Sequence, residues 1–423
     1  MTVKILVSGA GVAGTALVNF LCRSKHEYDI TVVERAPALR AAGSQLDLKS
    51  FGAPLMRKLG LIEKVREKSI HETAFTFVDS KGREWARFPV NEAGKGYEGI
   101  TSEFEIMRAD LVAVLYEASK EVSANPFMKG PQKLRYVFGK HGVHFTQGNS
   151  KVNVVFSDGS SDDYDLVVGA DGQYSMTRRL LWEPEKGSGD TTLKYTGVTA
   201  GFFQMPKSED EADSTLFKNC LQAGPRGLCL RCAHKDFTQA MLGIPTTDEH
   251  KQVFKKPLEQ QKQMWEESVG SFKWQGQRVL AELRKSDDFY MTPVAQVKVD
   301  RWSKGRVVLV GDAGYCPSVM TGRGTTVSLV GAYVLAGELA KHGDNIDAAL
   351  ESYEKVLRPF ITTAQEIPSM GMGMFQSKFG VGVFYVLLAI ISKLKIDRLL
   401  QALMKEEKET WELPEYPELE FEA

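Results

Sequence analysis

A glycine-rich turn close to the N-terminus constrains the fold more than any other feature of the sequence. Residues 3–8 (VKILVS) have the composition of a short buried strand, and GAGVAG follows without a break. The segment TALVNFLCRS continues with helical spacing, and ITVVER then resembles a second strand. A strand, a G-x-G-x-x-G turn, a helix and a second strand form a unit that binds the pyrophosphate of a dinucleotide.

The glycines of this turn have separate roles. Gly9 allows the tight turn, Gly11 lets the backbone approach a pyrophosphate, and Gly14 allows the helix to pack closely on the strand. The unpaired N–H groups and the dipole at the start of the helix then favour negative charge. We therefore expect dinucleotide contacts throughout the turn, at Gly9, Gly11, Val12, Ala13 and Gly14.

An acidic residue ends the second predicted strand. Glu34 lies 20 residues after Gly14, where a carboxylate can accept hydrogen bonds from ribose hydroxyls. It would also repel a 2′-phosphate. The bound dinucleotide should therefore carry a free ribose, as FAD and NAD do.

A second strand-to-turn segment favours FAD over NAD. Residues 307–310 form a predicted buried strand that ends in Gly311 and Asp312. A buried acid needs partners, so Asp312 is placed to accept a hydrogen bond from a hydroxyl of the flavin's polyol chain. In the segment TGRGTT that follows, Gly322 and Gly324 would let backbone N–H groups approach the flavin ring and hold its developing negative charge.

The sequence resembles the class A flavoprotein monooxygenases, the aromatic-hydroxylase group. Within the group it is most similar to the tetracycline-degrading monooxygenases and related fungal secondary-metabolite enzymes. Three motifs in the order typical of the family carry the resemblance: GAGVAG with Glu34-Arg35, GADGQYSMTR, and GDAGYCP followed by TGRGTT. The sequence departs from the family's pattern at Arg323 and at the pair Gly314-Tyr315. Because of these departures, the resemblance does not specify the substrate side of the site.

The resemblance also implies cofactor contacts outside the first turn. The segment GSQLDLKSFG looks like the family's flavin-contacting loop, and MRADLVAVL looks like the helix whose arginine contacts the cofactor. The implied contact residues are Arg35, Gln45, Asp47, Arg108, Asp171, Gly311, Asp312, Gly322, Gly324 and Thr325.

By the same resemblance the chain is an FAD-dependent monooxygenase. NADH or NADPH would reduce FAD and leave, and O2 would form a flavin C4a-hydroperoxide. That species would transfer one oxygen atom to a hydrophobic aromatic or polycyclic small molecule, as in secondary metabolism. No catalytic side chain can be assigned, because the cofactor performs the redox chemistry.

Other function classes remain as alternatives. A flavin-dependent oxidoreductase or desaturase would use the same motifs without oxygen insertion, and a membrane-associated epoxidase would add a membrane anchor. A flavin-dependent halogenase is disfavoured because the W-x-W-x-I-P element is missing. A non-catalytic flavin-binding protein is disfavoured because all three cofactor motifs are intact.

We predict an α/β fold in which a Rossmann-like FAD-binding domain is interleaved with a mostly antiparallel β-sheet substrate domain, followed by C-terminal helices. Residues 73–92, 191–204, 227–232, 238–244 and 289–299 have strand-like composition, and residues 250–286 have a helical pattern with Trp265, Phe272, Trp274 and Leu283 as apolar anchors. The predicted FAD-binding domain comprises 1–72, 102–189 and 300–365, the substrate domain 73–101 and 190–299, and the C-terminal helical segment and tail 366–423.

The composition limits partners and location. With 53 basic and 54 acidic residues, the net charge of -1 gives no reason to expect nucleic acid. Five cysteines, among them the pair Cys229 and Cys232, form no disulfide or metal pattern, and the N-terminus has no signal-peptide features. We expect a cytoplasmic monomer with no metal site.

One apolar stretch raises the question of a membrane. Residues 379–392 carry no charge, but fourteen residues are too few for a helix to span a bilayer, which needs about 20. The wider stretch 367–392 includes Pro368, Gln376 and Lys378. We predict a buried or interfacial helix here, with membrane association possible but not favoured.

Overall fold

A largely parallel six-stranded sheet carries the N-terminal glycine-rich turn. The computed structural model describes residues 2–40, 43–89, 103–125, 133–182, 191–211, 214–367, 372–395 and 411–421. Numbered along the chain and given in spatial order, the strands of this sheet are β17 (Ser303–Lys304), β18 (Val307–Leu309), β11 (Leu166–Gly169), β1 (Val3–Ser8), β2 (Tyr28–Glu34) and β7 (Lys133–Phe138). All neighbouring strands are parallel except β17 and β18. The predicted α/β fold class is confirmed.

Helices flank this sheet and enclose the main apolar core. They are α1 (Val12–Leu21), α2 (Gly52–Lys58), α3 (Ile62–Lys68), α4 (Arg108–Ser123), α5 (Met176–Trp182), α9 (Asp312–Tyr315), α10 (Gly324–His342) and α11 (Ile346–Ala364). Helix α10 packs against both α1 and α11. Every residue from 325 to 340 is buried, because the segment is apolar or small on almost every side and therefore suits the centre of a core.

A seven-stranded, mostly antiparallel sheet forms the second layer. Its strands, in spatial order, are β16 (Tyr290–Val297), β12 (Leu193–Pro206), β15 (Phe237–Pro245), β14 (Arg226–Cys232), β13 (Leu216–Gln222), β4 (Ala74–Val78) and β5 (Glu84–Pro89). Only β13 and β4 run parallel within it. Six of the strands overlap segments with the predicted strand-like composition. The sequence analysis missed β13, whose polar Lys218 and Gln222 weaken the apolar pattern.

Three helices are associated with one face of this sheet. They are α6 (His250–Val253), α7 (Leu258–Gly270) and α8 (Gly276–Lys285), within the segment predicted to be helical. All four predicted anchors are buried in one cluster with the sheet: Trp265, Phe272, Trp274 and Leu283. The helical pattern was therefore interpreted correctly.

The opposite face of the seven-stranded sheet is lined by aromatic and sulfur-containing side chains. We call it the aromatic face and define it by Phe75, Phe77, Phe217, Leu221, Cys229 and Met241. The rings of Phe75 and Phe217 meet edge to face, with centroids 4.8 Å apart.

Helix α12 (Lys378–Lys393) covers part of the aromatic face. It buries Val381 and Tyr385, and the Tyr385 hydroxyl donates to the carbonyl of Val78 at 2.7 Å. Phe379 on the other side is 82% exposed, so the helix is docked by one face only. Within the described ranges, none of the helices combines the length and apolarity needed to cross a bilayer.

Two small sheets complete the architecture. Strands β3 (Gln45–Asp47) and β6 (Glu105–Met107) pair antiparallel. Gln45 contacts the seven-stranded sheet through Gln239, and Ile106 is buried in the main apolar core. Strands β8 (Gly142–Gln147), β9 (Val152–Phe156) and β10 (Ser161–Tyr164) form an antiparallel meander beside the six-stranded sheet.

Residues 411–421 form an extended tail packed on the helices of the six-stranded sheet. The Trp411 ring packs against Phe51 and Phe360. The Tyr416 hydroxyl donates to the buried carboxylate of Glu338 at 2.8 Å. A Cβ added to Gly337 would lie 2.1 Å from the Tyr416 ring, so α10 needs a glycine where the tail crosses it.

We expect Gly337→Ala to displace the tail and lower the free energy of unfolding by about 1–3 kcal/mol, through overpacking. Gly382→Ala is the matched control, since Gly382 also lies within a helix and its added Cβ would have nothing within 4 Å. The free energy of unfolding of this control should increase by up to about 1 kcal/mol, because alanine has a higher helix propensity than glycine. Denaturant unfolding of both variants measures this, and equal stabilisation would contradict the packing described for the tail.

Candidate functional site

Three turns of the chain meet at the carboxyl ends of the parallel strands. A Cβ added to Gly9, whose φ is +112°, would lie 2.5 Å from the carbonyl oxygen of Ala170. A Cβ added to Gly311, whose φ is +65°, would lie 2.8 Å from the Cβ of Ala13. Only glycine allows these approaches. The structure therefore brings the three sequence motifs together at one place.

Two other glycines leave the backbone open. A Cβ at Gly11 or Gly324 would have no other part of the described chain within 4 Å. Gly11 precedes α1 and Gly324 begins α10, where the first N–H groups have no partner within the helix. Open backbone at two helix N-termini suits an anionic group, such as a pyrophosphate or a ring that acquires negative charge.

The carboxylate of Glu34 is fixed beside the first turn. It accepts hydrogen bonds from the backbone N–H groups of Ala10, at 3.1 Å, and Ala36, at 2.9 Å. Glu34 thus ends β2 in the position that the sequence predicted. Arg35 is exposed, and its predicted contact with the cofactor stays a prediction.

Asp171 organises the second motif from within the chain. One oxygen of its carboxylate accepts from the Ser175 hydroxyl, and the other accepts from the N–H of Thr177 at 2.9 Å and its hydroxyl at 3.1 Å. This arrangement caps the start of α5. Buried Arg178 then donates to the carbonyl of Ala313 at 2.7 Å, which ties the second motif to the third. A direct contact of Asp171 with the cofactor stays a prediction.

Asp312 carries a buried acceptor without a partner. Its Oδ1 has no hydrogen-bond donor within the described part of the chain. Burial raises the pKa of this carboxyl, while the charge of Arg108 and the thiol of Cys316 act in the opposite direction. An orphaned buried acceptor calls for a donor. A ligand hydroxyl group would satisfy it.

The predicted flavin loop rests on the third motif. The carbonyl of Lys49 accepts from the Thr326 hydroxyl at 2.8 Å, and its ammonium group lies 3.3 Å from Asp47. Gly322, with a φ of +65°, is close to the same lysine, and Thr325 is buried in the first turn of α10. The loop and the third motif are therefore adjacent.

Arg108 lies on the loop's other flank. It begins α4, and its backbone N–H donates to the carbonyl of Ser44 at 3.2 Å. Its side chain is exposed but lies near enough to Asp312 to act on the pKa of that group. Predicted residues of the loop and Arg108 thus lie close to the third motif.

A buried ionic network joins this loop to the seven-stranded sheet. Arg231 on β14 donates to both oxygens of Glu72, at 2.8 and 2.9 Å, and lies 3.0 Å from Glu105. The side-chain amide of Gln45 donates to both carboxylates at 3.2 Å. Gln239 on β15 accepts from the N–H of Gln45 at 3.2 Å. These five residues are at most 7% exposed.

The sequence analysis did not find this network. Its one local signal is the charged Arg231 within the strand segment CLRC. In the same segment the spacing of Cys229 and Cys232 is that of a redox or zinc element, which is a different kind of site. Both cysteines carry free thiols on β14, as expected for strand cysteines. No group of three potential metal ligands occurs among the described residues.

Glu105 holds its proton unusually strongly. Burial raises its pKa to about 8, while Arg231 opposes this and the carboxylates of Asp47 and Glu72 reinforce it. The folded state therefore binds this proton at pH values where the unfolded chain, with an ordinary pKa of 4.5, has released it. The contribution of protonated Glu105 to the free energy of unfolding therefore decreases as the pH rises from about 4.5 towards 8.

Glu105→Gln should remove this pH dependence. The free energy of unfolding of the variant minus that of the wild type should increase by about 1 kcal/mol or more from pH 5 to pH 8. Denaturant titration at the two pH values measures this difference. Glu103→Gln is the control, because Glu103 pairs with Arg66 at 3.1 Å in a more exposed position. If both variants have the same pH dependence as the wild type, Glu105 is not protonated near neutrality.

Comparison with known proteins identifies this arrangement. Residues 2–366 match the FAD binding domain family. The chain is 34% identical to an FAD-dependent monooxygenase of Sarocladium schorii, over 98% of both chains. It is also 34% identical to a flavin-dependent monooxygenase of a Phoma species, over 90% of both chains.

Solved structures share the fold. The crystal structure of tetracycline destructase Tet(51) superposes with a TM-score of 0.76 at 25% identity, covering 98% of this chain and 100% of the other. Klebsiella pneumoniae HpxO, crystallised with FAD and uric acid, gives a TM-score of 0.68 at 18% identity over 95% and 96% of the chains. The second likeness concerns the fold alone. The chain belongs to the FAD binding domain family, as one of its FAD-dependent monooxygenases.

Proposed function

We propose that this monooxygenase consumes NADH or NADPH and inserts one oxygen atom from O2 into a hydrophobic aromatic or polycyclic small molecule of secondary metabolism. The single observation that carries the cofactor site is the unpartnered Oδ1 of Asp312, buried where the three motifs meet. The aromatic face supports the substrate class, because an apolar surface lined by aromatic side chains favours apolar ring systems.

The site residues fit FAD. Glu34 would accept hydrogen bonds from the ribose, and the open backbone at Gly11 would receive the pyrophosphate. Asp312 would accept from a hydroxyl of the polyol chain. The N–H groups at the start of α10, near Gly324 and Thr325, would face the ring's pyrimidine edge.

When bound, FAD supplies the redox chemistry, passing electrons from the reduced nicotinamide to O2 so that one oxygen atom enters the substrate and the other leaves as water. The chain's own residues bind, orient and exclude water. The helix dipoles at α1 and α10 would stabilise negative charge on the bound cofactor. The aromatic face and α12 provide an apolar surface that disfavours water beside the reacting atoms.

We further infer that the chain divides into the interleaved domains predicted from the sequence. The six-stranded sheet draws its strands from residues 3–8, 28–34, 133–138, 166–169 and 303–309, and the seven-stranded sheet draws its strands from 74–89 and 193–297. This distribution supports two domains that share one site rather than two consecutive units.

Asp312→Ala tests the cofactor site. Loss of a charged acceptor should weaken FAD binding about 10- to 100-fold, measured by reconstituting the apoprotein with FAD. Asp312→Asn keeps one acceptor oxygen and should lose less. Thermal unfolding of both apoproteins separates binding from folding. Unchanged affinity in the alanine variant would place the polyol chain elsewhere.

The proposed reaction is tested with 18O2. The purified protein should be yellow, and a panel of aromatic and polycyclic compounds should include some that accelerate NADH or NADPH oxidation. One 18O atom should then appear in the product. A dehydrogenated product without the label would favour the desaturase alternative. A colourless protein that does not bind added FAD would refute the assignment.

A further inference from the structure

Asn219 occupies a specific place on the aromatic face. Side chains of a strand alternate between its two faces, so Phe217, Asn219 and Leu221 of β13 point to one side. Phe217 and Leu221 belong to the aromatic face, whereas Cys220 packs on the other side with α7 and α8. The register places Asn219 between Phe77 of β4 and Cys229 of β14.

The amide of Asn219 is buried and lacks a partner. The residue is 5% exposed, and its Nδ2 has no hydrogen-bond acceptor within the described part of the chain. Burial of an amide without a partner is unfavourable. Its neighbours Phe77 and Cys229 offer no strong acceptor. Cys229 and Met241, in the same row across the sheet, are only partly buried, so this part of the face remains accessible.

This row lies next to the predicted cofactor loop. Two residues further along β14 and β15 lie Arg231 and Gln239, about 6–7 Å away along each strand. Gln239 accepts from the N–H of Gln45 and donates to the carbonyl of Gly43 at 3.3 Å. The row that contains Asn219 is therefore two residues along the strands from Arg231 and Gln239, which contact the loop and its partners.

The charge of the surrounding groups indicates a neutral ligand. Arg231, the cation of this region, is already held by Glu72 and Glu105. It stacks over the Phe217 ring, with its guanidinium carbon 4.3 Å from the centroid. A substrate carboxylate would have to displace the buried carboxylate of Glu72, which accepts two hydrogen bonds from it. A neutral oxygen needs only a donor, which the Asn219 amide supplies.

We propose that Asn219 determines substrate specificity by donating a hydrogen bond from Nδ2 to a neutral carbonyl oxygen of a flat polycyclic substrate. This inference rests on the proposed function, since it places the substrate on the aromatic face. The rings pack against the phenylalanine side chains while the carbonyl fixes their orientation relative to the cofactor loop. A site built in this way rejects analogues that lack the oxygen, because the buried donor is then left unpaired.

Binding to the FAD-loaded protein tests the proposal without turnover. Calorimetry would compare three ketones, xanthone, anthrone and anthraquinone, with the carbonyl-free compounds xanthene and anthracene. The wild type should bind at least one ketone about tenfold or more tightly than its carbonyl-free counterpart. Asn219→Leu, which is similar in size but has no donor, should reduce this preference to near unity.

A structural role for Asn219 would give a different result. Asn219→Leu should unfold at the same temperature as the wild type or higher, because it removes an unpaired buried amide. Gln222→Leu is the matched control. It removes a second unpartnered amide nitrogen, the Nε2 of Gln222, which lies on the same strand but on the opposite face. This variant should leave the ketone preference unchanged.

Each remaining outcome decides the question. No ketone preference in the wild type, no binding of any ketone, or a preference that persists in Asn219→Leu would overturn the proposal. A lower melting temperature for Asn219→Leu would indicate a packing role instead. Ketone binding with the expected preference but without 18O insertion would refute the proposed function and leave the role of Asn219 standing.

Discussion

Two close approaches, of Gly9 to the Ala170 carbonyl and of Gly311 to the Ala13 side chain, allow three distant turns of the chain to lie against each other. The rest of the site depends on this closeness. The turn at Gly9 sets the direction of α1, and the turn at Gly311 sets the position of Asp312. Any larger residue at these positions would separate the strand ends and disperse the groups of the predicted cofactor site.

The connection between the predicted cofactor loop and the seven-stranded sheet is polar rather than apolar. A buried ion pair contributes little net stability, since desolvation offsets the attraction, but removing one partner typically costs about 3–5 kcal/mol. Arg231, Glu72 and Glu105 therefore act less as a source of stability than as a constraint on geometry. The bidentate contact with Glu72 fixes the distance between β14 and the segment before β4.

The parts of the structure that were predictable from the sequence depend on short-range patterns. The strand, turn and helix at residues 3–21 are contiguous, and the anchors Trp265 and Leu283 follow helical spacing. The network around Arg231 was missed because its partners lie far away in sequence, Glu72 by 159 positions. Its existence depends on the register of β14 against β13 and β15, which no local pattern specifies. Asn219 was missed for the same reason, since β13 itself was not predicted.

The tail over α10 has a consequence for the order of folding. Leu419 pairs with Ser24 as an isolated bridge, and Trp411 closes over Phe51 and Phe360. During synthesis these contacts form late, because residues 411–421 emerge after the helices on which they pack. Until then the small-residue surface of α10 at Gly337 is uncovered. A chain whose tail has not yet docked thus exposes this surface of α10 together with the rings of Phe51 and Phe360, and such exposed apolar surface favours aggregation until residues 411–421 cover it.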